Sequence, residues 1–505
     1  MKKIQSFAAL SLVFTAVACG GGSATGSAGV KDASGLKDKS GNAVSKKALA
    51  GYKTALTAFE QQDGTGQWSE AQCAKVASEF EAASKEQQSA GGKALPEAAY
   101  NAGLSYQRCG DDEKAKKKFV EAGKIDKNFH RARAQLALYE NKETGNIDKA
   151  IKDLDQIIRD AKFQNVEALV SLAALQMERN GSTGGAGCDS DLACAKLNLQ
   201  RALALNDSFM PAFNQLSLYY LNLARGTQGK KNDLVVAGSK KVRVNKQRLD
   251  LAALVASQAT KKNANYAPIY NTTGLILVSA EKYNGAVKAF GRARSLNPKF
   301  FEAQMNYAAV NLSFRGFAEA EKAYRAAIAL QPKTYEAHLG LALALRGQIN
   351  FENAEKFTAE AQKHLEEAKK IAPKRPEAYY NEAILTEEFR AKRAGEGLDS
   401  IKQWEAQIAV YDTAIAQYES FIKNAGSKEV FSEAVKVSKS RVQDIKDTQD
   451  FLRENIQFAA EDAKMKAEEE ARKKAEAEAA AAAPPAAAPA GGAAAPAPAA
   501  PAPAK

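Results

Sequence analysis

Cysteine offers the most chemistry of any residue type in this chain, and Cys19 stands at the end of a short apolar run. Met1-Lys2-Lys3 gives the chain a positive start, Ile4 to Val17 is mostly apolar, and small residues precede the cysteine. The run is shorter than the roughly 20 residues that a membrane span needs, and its flanks fit a secretory signal. The sequence therefore predicts export, with cleavage in front of Cys19.

The residues Ala16-Val17-Ala18-Cys19 resemble the lipobox of bacterial lipoproteins, with Ala16 where leucine is usual. The resemblance implies that residues 1–18 are a signal peptide, that the Cys19 thiol is diacylated, and that Gly20 after it favours the outer membrane. Residues 19–43 are then the acylated cysteine and a tether rich in Gly, Ser, Ala and Lys, a composition typical of flexible linkers. We expect a lipid-anchored protein of the outer membrane that faces the periplasm.

Patterns that would indicate catalysis are missing from the sequence. The three histidines, His130, His338 and His364, are scattered along the chain. There is no phosphate-binding glycine loop, no Gly-x-Ser-x-Gly elbow and no His-Glu-x-x-His helix. We therefore expect no enzymatic activity, no cofactor and no bound metal.

Composition and charge limit the classes of partner. The chain of 505 residues is formally +12, and loss of Lys2 and Lys3 with the signal leaves +10. In an exported protein a basic surface meets anionic lipid, polysaccharide or acidic protein patches more often than nucleic acid. No basic and aromatic platform for nucleic acid is visible in the sequence. The predicted partners are other proteins, the membrane through Cys19, and possible contacts with peptidoglycan or anionic lipid.

Proline and small residues recur at a fixed interval in the middle of the chain. Pro298 and Pro332 are 34 residues apart, which is the period of the tetratricopeptide repeat (TPR). Before each proline a small, a large and a second small residue follow one another at i, i+4 and i+7, as at Ala320, Tyr324 and Ala327. This spacing places them on one helical face, where a second helix can approach. A third unit is 41 residues long, and its seven additional residues predict two further helical turns.

The same register extends in both directions and predicts about eight helical hairpins between residues 44 and 424. The resemblance to TPR proteins covers about three quarters of the chain and implies an all-α solenoid. Residues 425–480 are rich in Glu, Lys and Ala and predict a long charged helix. An approximate heptad seam runs along this helix: Val435, Val442, Ile445, Leu452, Ile456 and Ala459. Residues 481–505 form an Ala/Pro tail that we expect to be disordered.

The four remaining cysteines predict two disulfides, because an even number in an exported chain indicates a disulfide framework. Cys73 lies early in one predicted second helix and Cys109 late in the next first helix, and neighbouring antiparallel helices can bring them together. Cys188 and Cys194 share one glycine-rich insertion. We predict the pairs Cys73–Cys109 and Cys188–Cys194.

First helices of TPR arrays line a groove that takes a peptide or a helix of a partner. Two positions of each first helix are expected to face this groove: the fifth residue from the repeat start and the residue four further along. Together they predict a mainly apolar groove that also carries Asn and Tyr side chains. These positions can equally pack between adjacent hairpins, so both roles stay open. The groove residues are Tyr100, Asn214, Asn271, Leu275, Met305, Leu339 and Tyr380, with Leu104, Leu218, Ala309, Leu343 and Ile384 also on the second row.

A basic insertion between residues 225 and 248 offers a second surface, for lipid phosphates or an acidic protein, unless it is simply a solvated loop. It carries Lys230, Lys231, Lys240, Lys241 and Arg243.

A lipobox, a TPR array and an Ala/Pro tail together resemble the TPR lipoproteins of the myxobacterial gliding-motility machinery. This resemblance implies a periplasmic scaffold that joins the parts of an envelope-spanning machine. Two other functions stay open: an assembly factor of the pilotin or β-barrel-assembly type, and an activator of peptidoglycan synthesis.

Overall fold

The computed structural model describes residues 43–65, 68–182, 187–226 and 244–482. The predicted signal peptide, Cys19, the tether and the Ala/Pro tail from residue 483 lie outside these ranges. So do five residues of the basic insertion: Lys230, Lys231, Lys240, Lys241 and Arg243.

Sixteen α-helices alternate along the first three quarters of the described chain as helical hairpins. The pairs are α1 (Lys46–Thr65) with α2 (Glu70–Ser89), α3 (Pro96–Arg108) with α4 (Asp112–Ile125), α5 (His130–Thr144) with α6 (Ile147–Asp160), α7 (Val166–Arg179) with α8 (Asp191–Leu205), α9 (Met210–Arg225) with α10 (Lys246–Lys262), α11 (Ala267–Ser279) with α12 (Tyr283–Leu296), α13 (Phe301–Ser313) with α14 (Phe317–Leu330), and α15 (Tyr335–Arg346) with α16 (Ala354–Ile371). The all-α, TPR-type solenoid predicted from the sequence is confirmed.

Short polar signals begin and end these helices. Ser69 and Gln72 form a capping box at the start of α2, and Asn165 accepts a hydrogen bond from the backbone of Ala168 in α7. At the ends of α5 and α9, Gly145 and Gly226 adopt positive φ angles of 69° and 66°. Glycine takes this conformation without steric cost, so the chain can reverse within a few residues.

Packing between the helices follows the order of the hairpins. Each second helix contacts the first helix of the next hairpin, and successive first helices from α5 to α15 also contact one another. Within a hairpin an aromatic ring lies where a glycine lets it approach: Phe119 lies against Gly103, and Phe290 lies against Gly274. The small and large positions recognised in the sequence thus form the buried core of the solenoid.

The long third unit departs from the expected two helical turns. Helix α16 has 18 residues where α12 and α14 have 14, which accounts for four of the seven additional residues. Most of the others lengthen the turn between Arg346 and Ala354. In that turn Asn350 and Asn353 each donate a backbone hydrogen bond to the side chain of the other, so the turn supplies its own polar partners.

The chain divides into two compact units. The first contains the described residues up to Glu382 together with Lys423–Glu433, and the second contains Ala383–Ile422 and the residues from Ala434 onward. This division falls inside the last hairpin of the predicted range 44–424. That hairpin begins with α17 (Pro376–Leu385), which continues into a π-helical turn at Thr386–Arg390, and it ends with α18 (Ser400–Ala425).

Two long helices make up most of the second unit: α18 and α19 (Ser432–Ala482). Gln449 of α19 donates to the Ile408 carbonyl oxygen at 3.0 Å and to Asp412 at 2.9 Å in α18. Arg441, about two turns earlier in α19, donates to Glu387 at 2.7 Å and to Glu388 at 3.0 Å. Within the seam of α19, Ile445 and Leu452 are buried. No helix in the described ranges is both long and apolar enough to cross a membrane.

One contact in the first unit joins residues far apart in the sequence. The Lys299 ammonium, between α12 and α13, donates to the Trp68 carbonyl oxygen, between α1 and α2, at 3.0 Å. Trp68 is itself fixed by its ring nitrogen, which donates to Asp63 at 2.9 Å. The first hairpin and the connection that follows the sixth hairpin therefore touch.

Candidate interaction face

The predicted groove residues lie on successive first helices, but most of them are covered. Tyr100, Asn271, Leu275, Leu339 and Tyr380 are buried, while Asn214 and Met305 are half-buried. The rings of Phe119 and Phe129 lie 5.5 Å and 5.7 Å from the ring of Tyr100. At these buried positions the packing role between hairpins dominates.

A more open row lies four residues further along each first helix. We call it the apolar row: Leu104, Leu138, Ala174, Leu218, Leu275, Ala309 and Leu343. Four of its members are half-buried, namely Leu138, Ala174, Leu218 and Ala309. The sequence analysis placed α5 in the repeat register but did not count Leu138 as a groove position, and it missed Ala174 because it did not recognise α7 as a first helix. The interval of 34 residues between Leu104 and Leu138 would have revealed the first of them.

Side-chain amides hold neighbouring first helices in register beside the apolar row. Thr272 donates to the Asn214 side-chain oxygen at 2.7 Å, and the Asn306 amide donates to the Asn271 side-chain oxygen at 2.9 Å. These bonds join α9 to α11 and α11 to α13. Because a buried amide is stable only when it is hydrogen-bonded, the Asn groups predicted to contact a partner serve first to align the face.

Arginines at the C-terminal ends of first helices occupy contrasting environments. Arg108 forms a bidentate pair with Asp63, at 2.7 Å and 2.9 Å. Arg179 binds the buried Asp191 in the same way, at 2.8 Å and 2.7 Å, and the hydrogen bond to Asp191 raises the pKa of Arg179. These pairs combine opposite charge with two parallel hydrogen bonds, the strongest geometry available to arginine.

Arg225 lies at the end of α9, and its hydrogen-bond partners among the described residues are neutral. It donates to the Ser279 hydroxyl at 2.9 Å and to the Leu275 carbonyl oxygen at 3.1 Å, both in α11. Burial lowers the pKa of Arg225 to about 10, and no described carboxylate opposes this shift. The guanidinium therefore links two first helices without a countercharge from the described chain.

Both cysteine pairs proposed from the sequence are disulfides in the structure. Cys73 and Cys109 lie with their Cα atoms 6.4 Å apart and join α2 to the end of α3, and Cys188 and Cys194 lie 5.3 Å apart. The first bridge links two hairpins, whereas the second fixes the turn that precedes α8.

Two of the scattered histidines meet between α15 and α16. The Nδ1 atoms of His338 and His364 are 2.9 Å apart, and His338 Nε2 lies 2.9 Å from the Pro332 carbonyl oxygen. A carbonyl can only accept, so neutral His338 carries its proton on Nε2 and accepts from Nδ1–H of His364. Burial, with His338 as a second cause, lowers the pKa of His364 to about 4. Among the described residues no group of three or more His, Cys, Asp or Glu side chains could hold a metal ion.

Comparisons with known proteins return only solved structures. No protein-family model matches the chain, and no curated protein matches it at a significant level. A TPR protein of Thermus thermophilus is similar with 22% identity and a TM-score of 0.34, covering 43% of this chain and 99% of its own. PilF of Pseudomonas aeruginosa has 15% identity and a TM-score of 0.36, covering 53% and 95%. Yeast Tom70 has 14% identity and a TM-score of 0.27, covering 82% and 99%.

Proposed function

We propose that this protein is a scaffold that binds protein partners through the first-helix face of its solenoid. The half-buried part of the apolar row carries the proposal, because it places partly accessible apolar side chains on three successive first helices, α5, α7 and α9, and again on α13. An extended segment or helix with matching apolar side chains would bury this row. The hydrogen bonds of Asn214 and Asn271 support the same function, since they hold the face in shape before a partner binds.

The finer proposal is that the scaffold is anchored by acylated Cys19 in the outer membrane and serves an envelope-spanning machine in the periplasm, such as a gliding-motility machine. Its support is the lipobox resemblance together with the two disulfides, which persist in oxidising compartments and are rare in the cytosol. A solenoid held by a lipid at one end could gather several partners near the membrane.

Photo-crosslinking in intact cells of the native host tests both levels. A crosslinking amino acid is placed at Leu218 or Met305 on the face, and at the exposed Lys288 of α12 as the matched control. We expect defined protein adducts from the two face positions and none of the same adducts from Lys288. A Cys19→Ala variant should keep the protein fold and lose the membrane fraction.

Each outcome assigns a function. Adducts with motility components support the envelope-machine proposal, adducts with secretin or β-barrel assembly subunits replace it with an assembly factor, and adducts with cell-wall synthases replace it with a synthesis activator. Equal adducts at Lys288 and at the face positions would disprove the first-helix face as the binding surface.

A further inference from the structure

Helix α19 carries a row of largely exposed apolar side chains. Phe451, Phe458 and Met465 are 60%, 70% and 63% exposed, and successive members are seven residues apart. We call these three residues the α19 stripe. Burying these side chains would remove apolar surface from water, which favours binding of a partner.

The α19 stripe lies away from the buried seam of the same helix. The seam residues Ile445 and Leu452 are buried, and at about 100° per residue Phe458 points roughly 140° from Ile445. From Ala460 to Ala479 every residue of α19 is exposed. The stripe therefore begins beside α18 and continues onto a part of the helix that is open on all sides.

Every charged side chain one helical turn from the stripe is acidic. The neighbours at three and four residues on either side of the stripe members are Asp447, Thr448, Glu454, Asn455, Glu461, Asp462, Glu468 and Glu469. Asp462 and Glu469 form ion pairs with Lys466 and Lys473, both at 2.7 Å. Glu454 and Glu461 form no ion pair with any described residue. In a chain that is formally +12, this row of acids is a local reversal of charge.

The acidic borders decide which occupant fits. Anionic membranes attract helices with basic borders, so the acidic borders of the stripe disfavour such a surface. A second copy of α19 would place acids opposite acids in either direction, and like charges at such positions oppose pairing. The members of the stripe are seven residues apart, which is the heptad spacing of coiled coils. A partner helix packed along the stripe would therefore carry apolar residues every 3.5 positions on average.

We propose that the α19 stripe binds a partner helix whose apolar residues recur in heptads between flanking lysines or arginines. The apolar side chains of that helix would cover Phe451, Phe458 and Met465, and its basic side chains would pair with Glu454 and Glu461. This surface belongs to the second unit and shares no residue with the first-helix face.

Binding of two synthetic helices to the mature full-length protein tests the proposal. Both have about four heptads with Leu at the a and d positions; one carries Lys at e and g, and the other carries Glu there. Fluorescence anisotropy should show binding of the Lys helix at low salt and at least tenfold weaker binding of the Glu helix. Added salt should weaken the Lys helix, since the Debye length falls from about 30 Å at 0.01 M to about 10 Å at 0.1 M.

Variants assign the binding to the stripe. Replacing Phe451, Phe458 and Met465 together by Ser should weaken the Lys helix at least tenfold, whereas Leu254→Ser, at a residue 54% exposed on α10, should leave it unchanged. A Glu454→Lys/Glu461→Lys variant should reverse the preference between the helices. Equal binding of both helices, binding of neither, or stripe-dependent self-association in analytical ultracentrifugation would each overturn the proposal.

Discussion

Replacing Gly274 by alanine tests the close packing of a glycine against an aromatic ring inside a hairpin of this solenoid. Gly274 lies inside α11, and a Cβ atom there would stand 2.6 Å from Cδ1 and 2.7 Å from Cζ of Phe290 in α12. Phe290 is completely buried, so its ring cannot move aside into solvent. The added methyl must separate α11 from α12 or force the ring out of its preferred conformation.

Two opposing effects set the expected magnitude. Alanine favours the helix over glycine by about 1 kcal/mol, while overpacking a close-packed core costs about 1–3 kcal/mol. Because the contact falls on a rigid ring at well under van der Waals distance, we expect the upper part of that cost. The free energy of unfolding should therefore fall by about 1–2 kcal/mol, despite a change that improves helix propensity.

Gly291 provides the matched control. It lies inside α12, and its nearest neighbour to an added Cβ is Tyr307 Cε2 at 3.6 Å, an ordinary contact. Gly291→Ala should therefore raise the free energy of unfolding by up to about 1 kcal/mol. Urea unfolding followed by circular dichroism measures both changes, and hydrogen exchange shows whether the loss is local to α11 and α12, as expected in a repeat array.

A second change separates the contact from any effect on the unfolded chain. Phe290→Leu shortens the side chain, so Gly274→Ala should cost less in that background, by about 1–2 kcal/mol of coupling. The reasoning fails if Gly274→Ala is as stable as the wild type, or if its cost is the same with phenylalanine and with leucine at position 290.

Three other expectations can be measured with the same unfolding assay. Cys109→Ser should lower the free energy of unfolding by about 4 kcal/mol and Cys194→Ser by about 2 kcal/mol, because the bridges span 36 and 6 residues, and addition of reductant to the wild type should reproduce both losses together. Arg179→Met should lower the free energy of unfolding by about 3–5 kcal/mol, because it leaves the buried carboxylate of Asp191 without its cation. Arg225→Met should change it by less than about 1 kcal/mol. Equal losses would contradict the contrast between the two sites. The pKa of His364 is lowered to about 4 from 6.5, so the unfolded chain takes up the proton first and stability should decline as pH falls from 6.5 towards 4, a decline that His364→Gln should reduce.

The regular spacing of small and large residues in the sequence predicted most of the fold. The positions that recur at a fixed interval, such as Ala320, Tyr324 and Ala327, are those at which two helices must touch, and all three are buried. Helix α7 was not recognised as a first helix, so Ala174 was missed, and Leu138 of α5 was not counted as a groove position although its repeat was recognised.

The role of a groove residue could not be derived in the same way. Spacing places Asn271 on the inner face of its hairpin, but its exposure depends on the neighbouring hairpin, where Asn306 donates a hydrogen bond to it. The histidine pair was unpredictable for the same reason, since His338 and His364 belong to separate helices in a unit of irregular length. The sequence shows which face of its own helix a residue lies on. Its contacts with other helices can be known only from the folded repeat array.

The contact between Lys299 and the Trp68 carbonyl oxygen changes how the solenoid should respond to force. Repeat arrays normally unravel from their ends one unit at a time, because each unit touches only its neighbours. Here the first hairpin also touches the chain 231 residues away, so peeling from the N-terminus must break that bond as well. One such hydrogen bond adds only about 0.5–3 kcal/mol, enough to delay the first step and small enough to be remade on relaxation. A pull on the N-terminal end would thus meet added resistance at light loads, and the contact would form again once the load ceases.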